Sequence, residues 1–405
     1  MKEKKKIPFA LVWGFFALAL FVIHYGWEVN KINATMMAFS YKHGFISRGL
    51  IGSVYQALDA ILPVNMISYD ALMLFTQVIT GIYFVLLFVF FMYCLKKCSE
   101  NLSEETKYII LFFTIWAIPM FVTEYNFGRL DVYCVMLSLL SAMILIWGKA
   151  EWLVVIFSAL GVMIHQGNVF MYLNIILVLL IYKALSVDGE KRKKYIRLFV
   201  ASFLVASALF LYFEFFSHVN GTHIYEEVVT TASSLRYDGA YHEDVIDKEI
   251  LGIDLSNRET EFMKSNLIQL PVFCVLMLPY IFFGVVLFRN IIKNAQTKVD
   301  KCKYLCVALG VGTIIPDFLL KCDYGRWVFA VICYYAVIIL ALLAFRDKIV
   351  EREVKNLMST VNEKFPGAVW LLVYPLMFQP LQDVAIFEFT ALVAKKVLSV
   401  LSSLF

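Results

Sequence analysis

The sequence predicts an all-α protein, a polytopic bundle of transmembrane helices, and three observations predict it. Hydrophobic residues make up 61% of the 405, and mean hydropathy is +0.75. Charged residues are only 17%, where a soluble domain carries about 25%. Apolar runs of roughly 20 residues recur from end to end, each long enough to cross a hydrocarbon core. Such runs must be helical, because lipid offers no partner to free backbone N–H and C=O groups. No stretch reads as a separate soluble domain, so residues 1–405 are expected to form one integral membrane unit.

The elements follow in chain order. The start, MKEKKKIPFALVWGFF, has a basic n-region like a signal peptide. Its apolar run, 7–27, is too long for an h-region and no small-x-small cleavage site follows, so it reads as a retained first span. Further spans are expected near 68–95, 107–123, 131–148, 152–165, 168–183, 197–217, 267–288, 303–320, 327–345 and 367–378. That makes about 11 spans, with a range of ten to twelve. The apolar tail 385–405 carries Lys395 and Lys396 mid-run and reads as a twelfth span or an interfacial helix.

Lysine and arginine set the orientation. With the N-terminus inside, the inner connections hold 24 of the 36 Lys and Arg and the outer ones hold 10. This asymmetry places the chain in the plasma (inner) membrane with a cytoplasmic N-terminus and its unusual connections facing outward. Two outer segments are substantial: a first extracytoplasmic loop, 28–66, and an acidic loop, 218–266, with ten Asp/Glu against four Lys/Arg. Nucleic acid is not an expected partner; membrane lipids are.

Within the first loop, GFISRGLIGSVYQALDAIL (44–62) repeats Ile46, Leu50, Val54, Leu58 and Ile61 at helical spacing. Arg48, Gly52, Tyr55 and Asp59 fall on another face. An amphipathic helix is expected here, interfacial or re-entrant after span 1, with Ser47 as N-cap and Arg48 in the first turn. A helix start with an Arg and nearby glycines suits an anion; the plainer alternative is an Arg reaching lipid headgroups.

Three short outer turns stand out, and the pairing of Gly and Arg with an acid nearby recurs in two of them after its first appearance in SRGL (47–50). EYNFGRLD (124–131) brings Arg129 and Asp131 to the mouth of a span, where an arginine is costly unless paired or functional. MIHQGN (163–168) offers His165 as proton carrier or phosphate donor. DYGRW (323–327) sets Asp323 and Arg326 at i,i+3 on one helix face. Glu28 ends the first span and is a candidate base. Each has a structural alternative, as a cap or a surface turn. The expected set is therefore Glu28, Asp131 and His165 as catalytic residues, Arg48, Arg129 and Arg326 for a substrate phosphate, and Asp59 and Asp323 in support.

No cofactor or metal is expected. The eight cysteines show no ligand spacing, and YHEDVI lacks the second His of a zinc-protease helix. Nucleotide loops, dinucleotide fingerprints, nucleophile elbows and internal repeats are not found in the sequence.

The motifs GFISRGLIG, GRLD, HQG and DYGRW, in this order, resemble those of multi-pass proteins encoded in bacterial surface-polysaccharide clusters. The layout also resembles the GT-C membrane glycosyltransferases. That resemblance implies transfer or polymerisation of sugars from a polyprenyl-phosphate-linked donor on the extracytoplasmic face. The GT-C pattern has a paired acidic motif in the first outer loop; here only Glu28 and Asp59 stand there, far apart. A transporter or flippase of a lipid-linked or anionic solute, or a non-catalytic membrane subunit, remains open as an alternative.

Overall fold

A computed structural model describes residues 28–98, 127–217, 219, 222–253, 269–276, 278–320 and 323–364. Among these, all regular structure is helical. The expected spans at 7–27, 107–123 and 367–378, and the tail 385–405, lie outside the described residues.

The main helices are α1 Lys31–Ala38, α2 Gly49–Ile61, α3 Tyr69–Lys97, α4 Asp131–Trp147, α5 Leu153–Ile164, α6 Leu173–Leu185, α7 Gly189–Phe215, α8 Thr222–Ser234, α9 Leu278–Lys293, α10 Lys298–Leu309, α11 Tyr324–Ala344 and α12 Lys348–Lys364. Four helical stretches are long and apolar enough to cross a membrane: Tyr69–Lys97, Gly189–Phe215, Lys298–Leu319 and Tyr324–Ala344. Local chemistry explains their ends. Ser68 caps α3 by accepting from the Ala71 amide, Asp70 lies in its first turn, and Lys96 and Lys97 lie in its last, which complements the helix dipole.

The core is built around α11. All of its residues are buried except Arg326, Val328, Val331 and Tyr335. It packs on α3, α4 and α6, while α7 lies outside against α5 and α6. Accordingly α7 turns Phe203, Leu204, Leu211 and Phe215 outward, the surface expected of a helix that faces hydrocarbon rather than water. Where α10 passes into the tighter 3-10 turn Gly310–Ile314, carbonyls lose their helical partners. Tyr334 and Tyr335 of α11 supply them, donating to Val307 O at 2.6 Å and Ala308 O at 2.9 Å.

Two expectations change. The runs expected as spans at 152–165 and 168–183 form α5 and α6, of 12 and 13 residues, split at His165 by the short turn Asn168–Met171. At 1.5 Å per residue each covers about 20 Å, short of a full bilayer core of about 30 Å. The amphipathic helix starts later than expected: Arg48 itself is the N-cap, in the left-handed region at φ 61°, and makes no side-chain cap. Ser47 donates instead to Gln166 Oε1 at 2.7 Å. Its apolar stripe is divided: Ile46 is buried and Leu50 and Leu58 are half-buried, while Val54 and Ile61 are 49% and 74% exposed. On the other face Gly52 packs on the end of α1 and Tyr55 is buried against Phe75 of α3.

The acidic segment 222–253 is folded rather than open. Helix α8 packs on α1 and buries Val228, Ala232 and Leu235. A turn Glu243–Ile246 and a π-helical turn Asp247–Leu251 then bury Ile246 and Ile250. At the opposite end of the bundle, Asp347 caps α12 through the amides of Ile349 and Val350. It also accepts from Tyr182 of α6 at 2.6 Å and Tyr304 of α10 at 2.7 Å.

Candidate functional site

Helix ends distant in sequence meet at the end of the bundle that holds His165. Gly128, at φ 85°, turns the chain tightly into α4. The turn is held by Asn33 of α1, which donates to Phe127 O at 2.8 Å. Arg129 precedes α4 and Asp131 opens it; they are 6% and 1% exposed. His165 closes α5, and Asp323 and Arg326 start α11.

Arg326 bridges two carboxylates. Its Nη1 donates to Asp323 Oδ2 at 2.6 Å and its Nη2 to Asp131 Oδ2 at 2.8 Å. Tyr172 donates to Asp131 Oδ1 at 3.3 Å. Arg129 Nη1 lies 3.9 Å from Asp323 Oδ2, a long approach for an ion pair. The Asp323–Arg326 spacing read from the sequence is thus a real contact. Asp131, two residues from Arg129, makes its ion pair instead with an arginine 195 residues away.

His165 is held by its own turn. The Gly167 amide donates to Nδ1 at 3.0 Å, and Nε2 lies 3.2 Å from Arg326 Nη2. An imidazole that accepts at Nδ1 carries its proton on Nε2, a tautomer assigned here from that network. Nε2 and Nη2 are then two donors facing one another, with no acceptor between them. Arg48 joins from α2: its charge acts on His165 together with those of Arg129, Arg326 and Asp131. Ser47, Gln166 and Glu214 form a chain beside it, with Gln166 Nε2 donating to Glu214 Oε2 at 3.3 Å. Most notable is what the arginines lack. Arg48 Nε, Arg129 Nε and Arg326 Nε are all buried without a hydrogen-bond partner. Buried N–H groups are rarely left so, and such a set calls for an acceptor.

Two expected residues stand apart. Asp59 accepts from the Met66 amide at 2.7 Å and so fixes the loop between α2 and α3. Glu28 acts electrostatically on Tyr69 and Arg236. Arg236 in turn donates to Val29 O at 2.6 Å. Conversely, Tyr172, which donates to Asp131, and Glu249, whose Oε1 lies 3.3 Å from Arg48 Nη1, adjoin these residues and were not expected. Tyr172 sits in an apolar run that gives it no signal, and Glu249 is one acid among many in its segment. Among the described residues, no group of three His, Cys, Asp or Glu side chains is placed to hold a metal.

A neighbouring contact fastens the folded segment to the 3-10 turn Tyr41–His43. Lys42 donates to Glu227 of α8 at 2.6 Å, and His43 lies beside the same carboxylate. The Lys42 hydrogen bond holds Glu227 below its ordinary value of 4.5. Burial first, and then Lys42, push the His43 imidazole below 6.5. Both groups bind protons more weakly in the folded state, so both stabilise this contact at neutral pH and lose that contribution on acidification. The protection of amides 41–47, measured against their intrinsic exchange rate at each pH, is expected to fall in two stages on acidification, the first below 6.5 and the second below 4.5. Lys42→Ala should blunt the second stage; equal steps with and without Lys42 would dismiss this account.

Comparison with protein-family models, with curated proteins and with solved structures finds no match to this chain.

Proposed function

We propose that the chain is a membrane glycosyltransferase of GT-C-like layout, its eleven expected apolar runs including the short α5–α6 pair, with a cytoplasmic N-terminus and its arginine cluster on the extracytoplasmic face. In this reading it transfers or polymerises sugars from a polyprenyl-phosphate-linked donor for a surface polysaccharide. The observation that supports it is the gathering of three buried arginine Nε–H groups without acceptors. Guanidinium groups match phosphate oxygens through their planar set of donors. A phosphate oxygen seated beside the 3.2 Å His165 Nε2–Arg326 Nη2 contact would accept from the imidazole and draw on the guanidinium charge.

The roles follow from the contacts. Asp131 and Asp323 fix Arg326, so they orient a cation rather than take a proton. Arg129 supplies the open donors. As the sugar–phosphate bond breaks, its electron pair goes to the phosphate oxygen, where the arginines stabilise the new charge. The acceptor hydroxyl attacks the sugar carbon, and its proton passes to Glu28 as general base, which requires the acceptor to extend from the arginine cluster to the corner beside Tyr69 and Arg236 where Glu28 stands.

The test compares Arg129→Ala with Glu28→Gln, using labelled polyprenyl phosphate in nanodiscs and glycan transfer. Arg129→Ala should weaken binding about 10- to 100-fold, the loss of hydrogen bonds to a charged group. Glu28→Gln should keep binding and lose turnover about 100-fold or more. Unchanged surface glycan in cells carrying Arg129→Ala would sink the reading. Normal turnover in Glu28→Gln would remove Glu28 as the base, and lipid-phosphate binding with no glycan transfer by the wild type would favour a flippase.

A further inference from the structure

The Arg48 end of the cluster is occupied by the protein's own carboxylate. Arg48 Nη1 lies 3.3 Å from Glu249 Oε1, and Glu249 is 5% exposed. The pair is poorly made. Arg48 Nε and Glu249 Oε1 have no hydrogen-bond partner although both are buried. A buried ion pair offsets its desolvation only when geometry is good and the remaining polar atoms are satisfied. This one meets neither condition, so it is easily exchanged for a better partner.

Backbone on both sides of the pair is unusual. Arg48 is a non-glycine residue at φ 61°, a conformation that costs free energy and tends to mark functional positions. Glu249 sits in the π-helical turn Asp247–Leu251, a form that also concentrates at functional sites. The charges complete the case: three arginines face Asp131, Asp323 and Glu249, a balanced set. Withdrawing Glu249 leaves one net positive charge beside the unpartnered donors.

We propose that Glu249 is a resident anion surrogate. Its carboxylate holds Arg48 until a phosphate group arrives, then leaves with the Glu243–Leu251 segment, freeing Arg48 to join Arg129 and Arg326 on the ligand. This rests on the phosphate-binding reading above and adds a gate to it. Glu249 is a positioning residue, acting through Arg48.

Hydrogen exchange of residues 243–253 in nanodisc-held protein tests this, alongside an independent binding measurement. The probes are polyprenyl monophosphate, inorganic diphosphate, and nanodiscs of phosphatidylglycerol alone. Polyprenyl monophosphate should raise exchange in this segment. Glu249→Gln should show that faster exchange without ligand and bind the phosphate about five- to tenfold more tightly, since a competing internal partner is gone. A purely structural Glu249 predicts the opposite sign, weaker binding in Glu249→Gln. Binding with unchanged exchange in 243–253 overturns the surrogate role and leaves the Arg129 reading standing. No binding by wild type or Glu249→Gln overturns both. A response to diphosphate equal to that of the lipid supports the gate and assigns it to phosphate alone; a response to phosphatidylglycerol alone overturns selectivity for the donor.

Discussion

Replacing Arg326 with alanine is expected to destabilise the protein by about 3–5 kcal/mol, as removal of one partner does in buried ion pairs. Asp131, at 1% exposure, would keep only the Tyr172 hydroxyl among its described side-chain hydrogen bonds. Asp323 would lose its 2.6 Å partner. Arg326→Lys should fall between wild type and alanine, because a lysine keeps the charge but cannot hold two carboxylates in one plane. Thermal unfolding in detergent, followed by light scattering, reads the difference. An Arg326→Ala protein that melts with the wild type would mean that these carboxylates are not held as described.

Gly52→Ala is the second large effect. A methyl group there collides with the Phe39 carbonyl oxygen and lies 2.7 Å from Met37 O. Both obstacles are backbone, so no rotamer relieves them, and α1 and α2 must separate. Overpacking costs about 1–3 kcal/mol where side chains can yield; here the cost should reach or exceed the upper end. Gly81→Ala is the control. Nothing lies within 4 Å of its added methyl, and alanine favours a helix by about 1 kcal/mol. Melting should fall in the first variant and hold or rise in the second. Equal melting in the two would show that α1 and α2 are not in close contact.

Much of this arrangement can be read from the sequence where the cause is local. Run length finds α3, α7 and α11, and the repeated Gly-Arg beside an acid finds Arg129, Asp131, Asp323 and Arg326. The i,i+3 geometry of Asp323 and Arg326 needs only a helix. What fails is long-range. Asp131 and Arg326 are 195 residues apart, and Arg48 finds Glu249 in a segment where acidity alone gives no preference. The stripe on α2 was visible, but its division was not: periodicity marks a face and does not say which of its residues meet protein. Helix α1 escaped because it lies in a polar connection, and its signal is one Asn30 side chain accepting from the Asn33 amide.

The Asp347 contacts have a mechanical consequence. By joining Tyr182, Tyr304 and the start of α12, they pin α6 and α10 to one point. A second tie lies toward the His165 end, where Asn174 of α6 donates to Thr313 Oγ1 at 2.9 Å and Thr313 donates to Phe170 O at 3.0 Å. Fastened at both places, α6 and the stretch that continues α10 cannot slide past each other, so they form a fixed strut beneath the arginine cluster.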